Sequence, residues 1–427
     1  MEKFIIHGGK PLQGTLVPSG NKNAVLPLMA ACLLTSDPVT LHNVPDILDV
    51  QTMINLMQSL NVKIETIDRT TLKLDASDIR PADLDPALCR QIRASILLAG
   101  PLLGRIGELH IPPPGGDVIG RRRVDTHILA FSNLGVRTHF TDNLFHFEGK
   151  NLIGADILLD EASVTATENA IMACVLAEGK STLRNAASEP HVQELCHFLN
   201  LLGAKIENIG SNTLTIWGVN SLHGGEFTIG PDYLEVVSYI GAAVVTKGSI
   251  RIKNAGVQHL DMVRMVFNRL GVTWDVEGDD LIVPDKQVLE IKPDLGNVIP
   301  EVSVMPWPAF PTDLMSIAIV IAIHSRGSIL FHDWMYPSRM FFTDKLVSMG
   351  AHIVLCDPHR CIVQGPTQLK GELLESPDIR AGMALLLAAL SADGKSVIRN
   401  VGQIDRGYQQ VDQKLRALGA EIERLKD

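Results

Sequence analysis

The stretch between positions 111 and 127, IPPPGGDVIGRRRVDTH, combines a turn-forming composition with one acid and three consecutive arginines. Its prolines and glycines favour a loop with a fixed stem and a mobile tip. Arginine forks match the geometry of phosphate and carboxylate groups, so Arg121, Arg122 and Arg123 are candidate binders of a small, multiply charged ligand. Asp117 is a candidate proton donor in the same loop. A solvated basic turn is the alternative, but several other segments of the chain favour the ligand.

The composition of the chain excludes several classes of partner. With 427 residues, 46% of them hydrophobic, the chain can bury a large core in roughly two to three domains. Its net charge of -10 argues against nucleic acid or an anionic membrane surface, since both attract basic proteins. The N-terminus shows no signal pattern, and apolar runs such as Leu314 to Ile323 are too short to cross a bilayer. We therefore expect no membrane insertion and a soluble, cytoplasmic protein.

Six scattered cysteines indicate neither disulfides nor a metal site, because none stands at CxxC spacing with a matching pair. We interpret them as buried small hydrophobic residues in a reducing compartment. They are Cys32, Cys89, Cys174, Cys196, Cys356 and Cys361.

A short pattern repeats six times along the chain. Each copy is a helix end closed by Gly, or by Asn in the first copy, followed by an alternating strand. The closing residues stand 68 to 79 positions apart and are Asn61, Gly135, Gly203, Gly271, Gly350 and Gly419. Six repeats of similar length therefore fill the chain.

Six almost wholly apolar segments recur in phase with this pattern, and they predict an α/β fold with six buried helices. We expect each half of the chain to wrap three of them inside sheets and amphipathic helices. They begin near Lys22, Arg93, Ser163, Asp232, Thr312 and Asp378. The last four of these residues are preferred N-cap types, which is the plain structural interpretation of each.

Cations at the starts of these helices are harder to explain as caps. Lys22, Arg93 and Arg380 stand where a positive charge opposes the helix dipole, so each is best tolerated beside an anion. If the two halves face each other across a cleft, the helix starts could converge on one anion site.

Five segments together resemble the signatures of the UDP-N-acetylglucosamine enolpyruvyl transferase family. The resemblance runs in order along essentially the whole chain. The segments are SGNKNAVLP at 19–27, RASI at 93–96, PGGDVIGRR at 114–122, PAFPTD at 308–313 and IDRGY at 404–408.

The resemblance implies a two-domain inverse α/β barrel with three repeats in each domain. The N-terminal domain would span residues 22–230 and carry the mobile loop 111–123. The C-terminal domain would combine residues 1–21 with 231–427, because in this family the first strand crosses over to complete it.

The activity implied by the resemblance is transfer of the enolpyruvyl group of phosphoenolpyruvate to the 3'-hydroxyl of UDP-N-acetylglucosamine, with release of phosphate. This is the first committed step of peptidoglycan synthesis, and so of cell-wall growth, cell shape and division. Two acid/base groups among fixed cations suffice for the chemistry, so neither a metal nor an organic cofactor is expected.

Carried over position by position, the resemblance assigns phosphoenolpyruvate to Lys22, Asn23, Arg93, Arg122, Arg339, Arg380 and Arg406. It assigns UDP-N-acetylglucosamine to Asn23, Arg93, Asp125, His127, Ser163, Val164, Thr165 and Asp313. The catalytic set would be Asp117, Asp313, Lys22 and Arg406, with Asp313 as the base facing the sugar hydroxyl. Phosphate would be held by Lys22, Arg122 and Arg406, and the carboxylate by Arg339 and Arg380. For His127, a structural role at a helix start is an equally good interpretation.

Several positions depart from the family pattern. Asp117 stands where the family usually has the cysteine that the epoxide fosfomycin alkylates, so insensitivity to that drug is expected. Tyr233 replaces a usual arginine, Pro337 a usual glutamate, Leu48 a usual lysine and Arg123 a usual proline. These changes affect the expected nucleotide contacts and the orientation of Arg339.

Two alternatives remain open at this point. The first is an enzyme resembling 3-phosphoshikimate enolpyruvyl transferase, which shares the repeats and also uses phosphoenolpyruvate. The second is a nucleotide-sugar-binding paralogue without catalysis, suggested by Asp117 and Pro337.

Overall fold

The computed structural model describes residues 2–80, 84–117, 119–120 and 122–426. Their contacts divide the chain into two compact units. Within the described ranges, the N-terminal unit comprises Gly20–Asp117 and Arg122–Gly230, and the C-terminal unit comprises Met1–Ser19, Val118–Arg121 and Pro231–Asp427. As separate domains, the ranges 22–230 and 1–21 with 231–427 stay a prediction.

The helices of the described residues are α1 (Lys22–Ala31), α2 (Leu48–Ser59), α3 (Pro86–Gln91), α4 (Ala99–Arg105), α5 (Asp125–Asn133), α6 (Val164–Val175), α7 (Pro190–Leu201), α8 (Tyr233–Val245), α9 (Asp261–Arg269), α10 (Met315–His324), α11 (Thr343–Ser348), α12 (Ile379–Ser391), α13 (Gly402–Asp405) and α14 (Val411–Ala417). Short 3₁₀-helices span Cys32–Leu34, Arg93–Leu98, Val257–His259, Thr312–Leu314 and Arg339–Phe342.

The strands of the same residues are β1 (Glu2–His7), β2 (Gln13–Leu16), β3 (Val39–His42), β4 (Lys63–Asp68), β5 (Thr71–Asp75), β6 (Glu108–Ile111), β7 (Arg137–Thr141), β8 (Leu144–Glu148), β9 (Asp156–Leu158), β10 (Lys180–Arg184), β11 (Lys205–Glu207), β12 (Thr213–Trp217), β13 (Gly225–Thr228), β14 (Ser249–Ile252), β15 (Asp275–Glu277), β16 (Asp280–Val283), β17 (Glu301–Ser303), β18 (Gly327–His332), β19 (His352–Asp357), β20 (Arg360–Gly365), β21 (Leu373–Glu375), β22 (Lys395–Arg399) and β23 (Glu421–Lys426).

The strands of the N-terminal unit form three sheets, ordered β13-β3-β5-β4, β11-β12-β10-β9 and β6-β8-β7. In the two four-stranded sheets, an edge strand runs parallel to its neighbour, β13 beside β3 and β9 beside β10, and the other pairs are antiparallel. Helices α1, α4 and α6 contribute to one hydrophobic core with the inward residues of these sheets.

The strands of the C-terminal unit also form three sheets, ordered β21-β22-β1-β23, β15-β16-β14-β2 and β17-β18-β20-β19. The two strands at the start of the chain belong to this unit. Strand β1 lies antiparallel between β22 and β23, and β2 runs parallel to β14. The start of the chain thus completes sheets that otherwise consist of residues beyond 231.

The central helices of both units are buried because their residues are almost wholly apolar. In α10 each residue from Met315 to Ile323 is buried, and α8 and α12 are buried along their whole length. Such helices cannot lie at a surface without exposing a large apolar area to water. The predicted arrangement of six repeats, three in each unit around buried helices, is confirmed.

The turn that closes the second helix of each repeat adopts a left-handed backbone conformation. Its φ is 66° at Asn61 and between 86° and 103° at Gly135, Gly203, Gly271, Gly350 and Gly419. Glycine and asparagine tolerate this conformation best, which explains the residue type that repeats in the sequence.

Two sequence predictions about helix starts need correction. The second buried helix of the C-terminal half does not use Thr312 as its cap: the Thr312 hydroxyl instead donates a hydrogen bond to the carboxylate of Asp333. The segment beginning at Arg93 is a 3₁₀-helix before it becomes α4.

The prediction that all six cysteines are buried is wrong for Cys356, which is exposed, while the other five are buried.

No helix in the described ranges is long and apolar enough to cross a membrane.

Candidate active site

Lys22 lies in the first turn of α1 with its charge held by a nearby carboxylate. The Asn21 side chain caps this helix by accepting hydrogen bonds from the backbone N–H groups of Asn23, at 2.8 Å, and Ala24, at 3.3 Å. Nζ of Lys22 stands 2.8 Å from Oδ2 of Asp49, and both side chains are buried. Asp49 thus offsets the unfavourable placement of a cation at a helix N-terminus. The half-buried Asn23 follows directly.

The glycine pair of the 111–123 loop packs against the backbone of α3. The N–H of Gly115 donates to the carbonyl of Cys89 at 3.0 Å, and that of Gly116 to Arg90 at 3.3 Å. A Cβ at Gly115 would stand 1.7 Å from the Arg90 carbonyl oxygen, so only glycine fits there. This anchorage fixes the start of the loop immediately before the half-buried Asp117.

Arg93 and Arg122 approach the same part of the loop. Arg93 donates to the carbonyl of Arg123 at 2.6 Å. An ideal Cβ at Gly116 would lie 3.1 Å from Cβ of Arg93 and 3.5 Å from a terminal nitrogen of Arg122. The loop therefore brings two arginines beside the residue that precedes Asp117. The predicted anion binder Arg121, like Val118, lies outside the described residues.

Asp125 is exposed and occupied by protein contacts. Arg123 pairs with Oδ2 of Asp125 at 3.2 Å and with Oδ2 of Asp160 at 3.1 Å. The Thr126 hydroxyl donates to the other oxygen of Asp160 at 2.7 Å. Hydrogen bonding to Asp125 raises the pKa of Arg123. Arg123, which departs from the family pattern, thus has a defined contact in this chain.

His127 is fully buried, and both of its ring nitrogens contact the protein. Nε2 stands 3.2 Å from the Thr165 hydroxyl, and Nδ1 stands 2.9 Å from the side-chain amide nitrogen of Asn169. Burial lowers the pKa of His127 to about 3, and the charge of Arg93 acts in the same direction. His127 is therefore a neutral imidazole at ordinary pH, and a direct contact with nucleotide stays a prediction.

The start of α6 carries the remaining residues predicted to bind nucleotide. Ser163 caps the helix, its hydroxyl accepting a hydrogen bond from the N–H of Ala166 at 3.4 Å. Val164 and Thr165 form the first turn, and all three predicted residues are half-buried. Backbone N–H groups at such a helix start favour an anionic ligand.

Asp313 in the C-terminal unit lies between two buried guanidinium groups. Its Oδ1 accepts a hydrogen bond from Arg339 at 2.8 Å, and its Oδ2 accepts one from Nε of Arg380 at 3.2 Å. Asp378, the N-cap of α12, stands 3.9 Å from Arg339. Burial by itself would lower the pKa of Arg339, but the charges of Asp313 and Asp378 hold it above its ordinary value. Both arginines therefore remain cations.

Arg380 is supported from its other side by a directed chain of hydrogen bonds. Its guanidinium donates to Oη of Tyr408 at 3.2 Å, and Oη stands 2.9 Å from the Ser238 hydroxyl. Ser238 donates its own proton to the Leu234 carbonyl at 2.7 Å, so Tyr408 must be the donor to Ser238. This chain orients the Tyr408 lone pairs towards Arg380.

Arg406 follows the short helix α13, which ends at Asp405, and is half-buried. Its guanidinium donates to Oε1 of Gln403 at 3.1 Å.

Some of the predicted site residues thus contact one another directly. Asp313, Arg339 and Arg380 form one cluster, and His127 contacts Thr165. The supporting residues Asp49, Asn169 and Ser238 were absent from the sequence prediction. A polar residue inside an otherwise apolar helix was the available signal for Asn169 and Ser238, whereas nothing marked Asp49 as the partner of Lys22.

Two of the departures from the family pattern occupy defined positions within the C-terminal unit. Tyr233 is buried in the first turn of α8, its ring centre 6.0 Å from that of Trp307. Pro337 lies close to Gly120: a Cβ added at Gly120 would stand 2.7 Å from the ring of Pro337. Leu48, by contrast, is exposed at the start of α2.

Among the residues that the structure describes, no group of three or more His, Cys, Asp or Glu side chains is placed to hold a metal ion. The side chains described above offer carboxylates, guanidinium groups and a lysine.

Comparisons with known proteins agree with this arrangement. A family model described as EPSP synthase (3-phosphoshikimate 1-carboxyvinyltransferase) matches residues 6–415. The chain is 57% identical over 423 residues to the UDP-N-acetylglucosamine 1-carboxyvinyltransferase of Bradyrhizobium diazoefficiens, covering 99% of this chain and 98% of the relative. It is 52% identical over 423 residues to the protein of the same name from Treponema denticola, covering 99% of each. The chain belongs to the UDP-N-acetylglucosamine 1-carboxyvinyltransferase family.

Solved structures confirm the predicted fold class. The enolpyruvyl transferase NikO from Streptomyces tendae aligns with a TM-score of 0.88 at 26% identity, covering 100% of this chain and 99% of NikO. An EPSP synthase from Acinetobacter baumannii aligns over 100% of both chains with a TM-score of 0.76 at 15% identity, a likeness that concerns the fold alone.

Proposed function

We propose that this chain transfers the enolpyruvyl group of phosphoenolpyruvate to the 3'-hydroxyl of UDP-N-acetylglucosamine, with release of phosphate. The observation that carries the proposal is identity of 57% and 52%, over nearly the full length, to two relatives named for this activity. The names of these relatives also support UDP-N-acetylglucosamine, rather than 3-phosphoshikimate, as the acceptor of this chain.

The Asp313 cluster supports a role in binding the carboxylate and accepting a proton. Arg339 and Arg380 are buried cations with fixed geometry, so they suit a planar carboxylate such as that of phosphoenolpyruvate. Asp313 is held by both arginines and is partly accessible, so it suits the role of base towards the sugar hydroxyl. Arg406 would contact phosphate.

The N-terminal unit supplies the remaining proposed groups. Lys22 and Arg122 would bind phosphate, and Asn23 and Arg93 would contact both substrates. Ser163, Val164, Thr165, Asp125 and His127 would lie along the nucleotide. Asp117, which follows the anchored glycine pair, would deliver a proton to phosphoenolpyruvate.

The proposed reaction needs three proton transfers and no redox step. In the addition, the sugar O3' loses its proton to Asp313 and bonds to C2 of phosphoenolpyruvate, while C3 gains a proton from Asp117. In the elimination, the new methyl group returns a proton to the Asp117 carboxylate, the C2–O bond to phosphate breaks and the C2–C3 double bond forms again. Fixed cations stabilise the phosphate as it leaves. No cofactor takes part in these steps.

This activity would place the protein in the cytoplasm, where both substrates occur, at the first committed step of peptidoglycan synthesis. Cell-wall growth, shape and division would then depend on it.

Phosphate release tests the proposal directly. Purified protein with phosphoenolpyruvate and UDP-N-acetylglucosamine should release phosphate and form the enolpyruvyl nucleotide, detected by mass spectrometry. Replacing the acceptor by shikimate 3-phosphate should abolish release. Binding of the nucleotide without turnover at saturating substrates would support the non-catalytic alternative, and turnover with shikimate 3-phosphate alone would support the other enzyme.

A further inference from the structure

Asn169 lies inside α6 with both polar atoms of its side chain hydrogen-bonded. It is fully buried. Its Oδ1 accepts a hydrogen bond from the N–H of Gly100 at 2.8 Å, and its Nδ2 donates to the carbonyl of Ile96 at 2.8 Å. The second N–H of the amide points to Nδ1 of His127 at 2.9 Å.

These two backbone partners fix the direction of the amide. If the amide turned over, its oxygen would face the Ile96 carbonyl, and its NH₂ group would face the N–H of Gly100. Both contacts would be repulsive. The helices also touch at this point, because a Cβ at Gly100 would stand 2.6 Å from the Asn169 carbonyl oxygen. The side chain therefore has one favourable orientation on a closely packed support.

The fixed amide determines which nitrogen of His127 carries the proton. Because Asn169 donates to Nδ1, that nitrogen must be the unprotonated one in a neutral ring. The proton then lies on Nε2, which stands 3.2 Å from the Thr165 hydroxyl. Burial keeps the pKa of the ring far below neutrality, so both nitrogens are not protonated together.

Thr165 consequently accepts a hydrogen bond from His127 and keeps its own proton for another acceptor. Its side chain is half-buried in the first turn of α6, beside Ser163 and Val164. Within the ranges that the structure describes, the Thr165 hydroxyl makes no hydrogen bond besides that to His127. The hydroxyl is thus a donor at a helix start that favours negatively charged oxygen.

We propose that Asn169 is a positioning residue which, by holding His127 as the Nε2–H tautomer, directs the Thr165 hydroxyl proton to an oxygen acceptor of the bound UDP-N-acetylglucosamine. The inference deepens the proposed function and rests on it for the identity of the ligand. In this arrangement Thr165 donates the hydrogen bond to the nucleotide, whereas Asn169 acts through His127 and need not touch the nucleotide. If Asn169 instead accepted a proton from Nδ1, Nε2 would take the Thr165 proton, and the donor would be lost.

The tautomer can be measured without any activity. In ¹⁵N-histidine-labelled protein, NMR should show His127 with protonated Nε2 and unprotonated Nδ1, its signals assigned by their absence from His127→Gln. Asn169→Asp should move the proton to Nδ1, because a carboxylate can only accept. A wild-type ring protonated on Nδ1 would overturn the proposal.

Binding tests the consequence for the ligand. Thr165→Val keeps the shape of the side chain and removes the donor, so the Kd for UDP-N-acetylglucosamine should rise roughly tenfold, as expected for one net hydrogen bond. Thr165→Ser keeps the hydroxyl donor and should recover most of the affinity that Thr165→Val loses. The KM for phosphoenolpyruvate should change less than about twofold in both variants, since the loss is one of nucleotide binding.

A double-mutant cycle separates positioning from general structural damage. Asn169→Asp should weaken nucleotide binding in the wild-type background but add little to Thr165→Val, because both changes remove the same donor. Fully additive losses, or wild-type affinity in Thr165→Val with normal turnover, would overturn the inference and leave the proposed function standing. Absence of turnover together with the expected pattern of nucleotide binding would contradict the proposed function instead.

Discussion

Nε of Arg380 donates a hydrogen bond to Oδ2 of Asp313 at 3.2 Å, joining two residues 67 positions apart in the chain. Arg339 binds the other carboxylate oxygen, and the side chains of both arginines are at most 5% exposed. The protein therefore shields both guanidinium groups almost completely from solvent. The geometry of the cluster therefore depends on Asp313, and Asp313 in turn is presented in one orientation.

Replacing Asp313 should abolish turnover while leaving the chain folded. Asp313→Asn keeps one acceptor oxygen but removes the base, so we expect activity to fall by ~10²-fold or more. Asp313→Ala should lose as much activity, and also stability of about 3 kcal/mol, because two buried cations lose their partner. Phosphate release and urea unfolding measure the two effects.

Arg406→Ala provides a comparison for Asp313→Ala, because it should affect turnover and not stability. Arg406 is half-buried, so its loss should lower turnover by ~10²-fold or more with little change in unfolding. Normal activity in any of these folded variants would remove the substituted residue from the mechanism.

The support of Arg380 by Tyr408 gives a prediction about phosphoenolpyruvate alone. Tyr408→Phe removes the acceptor of the 3.2 Å hydrogen bond from Arg380 and should raise the KM for phosphoenolpyruvate roughly tenfold. The Kd for the nucleotide should not change. Ser238→Ala leaves the Tyr408 oxygen in place, so its effect on KM should be smaller. Equal effects on both substrates would indicate general disruption instead.

The sequence predicted the repeated parts of the fold well because each depends on local chemistry. A helix that is apolar on every face must be buried, and a turn that needs positive φ selects Gly or Asn, as at Asn61 and Gly203. The helix caps at Ser163 and Asp378 could be predicted too, because each side chain accepts hydrogen bonds from backbone N–H groups two or three residues further along the chain. Thr312 failed as a cap because the distant Asp333 competes for its hydroxyl.

The supporting residues of the candidate site could not be predicted in the same way. Asp49 holds Lys22 from another helix, and Asn169 meets His127 from 42 positions away. Such pairs depend on how the helices pack, which periodicity does not specify. Resemblance to a family supplied the residues proposed to touch substrate but not the residues that hold them in place.

Glu168 should make the protein less stable as the pH rises. Burial raises its pKa well above the ordinary value of 4.5, and the charge of Glu189 raises it further. Above pH 4.5 the unfolded chain releases this proton while the native chain keeps it, so the free energy of unfolding falls with rising pH. Glu168→Gln removes this penalty. Its stability relative to wild type should increase by up to about 1.4 kcal/mol per pH unit above that value.

Urea unfolding between about pH 5 and pH 8 measures this difference, which should grow with pH until the native carboxyl ionises. Glu65, exposed on β4, provides the control, since Glu65→Gln should show no such slope. A difference between Glu168→Gln and wild type that stays constant over this range would contradict the prediction.

At Gly241, helix α8 packs closely against its two neighbours, α10 and α12. A Cβ there would stand 2.7 Å from Ile317 of α10 and 2.9 Å from Leu387 of α12. Gly241→Ala should therefore destabilise the chain by about 1–3 kcal/mol through overpacking. Gly402→Ala is the matched control, because Gly402 is also helical and has no atom within 4 Å of an added Cβ. A urea midpoint in Gly241→Ala at or above that of Gly402→Ala would show that the core adapts.

Asp117 should leave the protein insensitive to fosfomycin. Opening an epoxide requires a good nucleophile, and a thiolate is far better than a carboxylate, whose charge is shared by two oxygens. The native cysteines offer little competition. Five are buried, and burial raises the pKa of Cys89 and Cys174 to about 11, so they remain thiols. Cys356 is the exposed one and should be replaced by serine in every protein compared.

In that Cys356→Ser background, Asp117→Cys should gain one covalent fosfomycin adduct and lose activity with time, whereas the parent should gain none. Turnover should persist in the variant, because both side chains can give and take a proton. The pH optimum should shift as the intrinsic pKa at this position changes from about 3.9 to about 8.5. Intact mass after incubation reads the adduct, and phosphate release reads the activity. An adduct with inactivation in the parent, or a variant that turns over but never becomes labelled, would show that position 117 does not carry the proton donor.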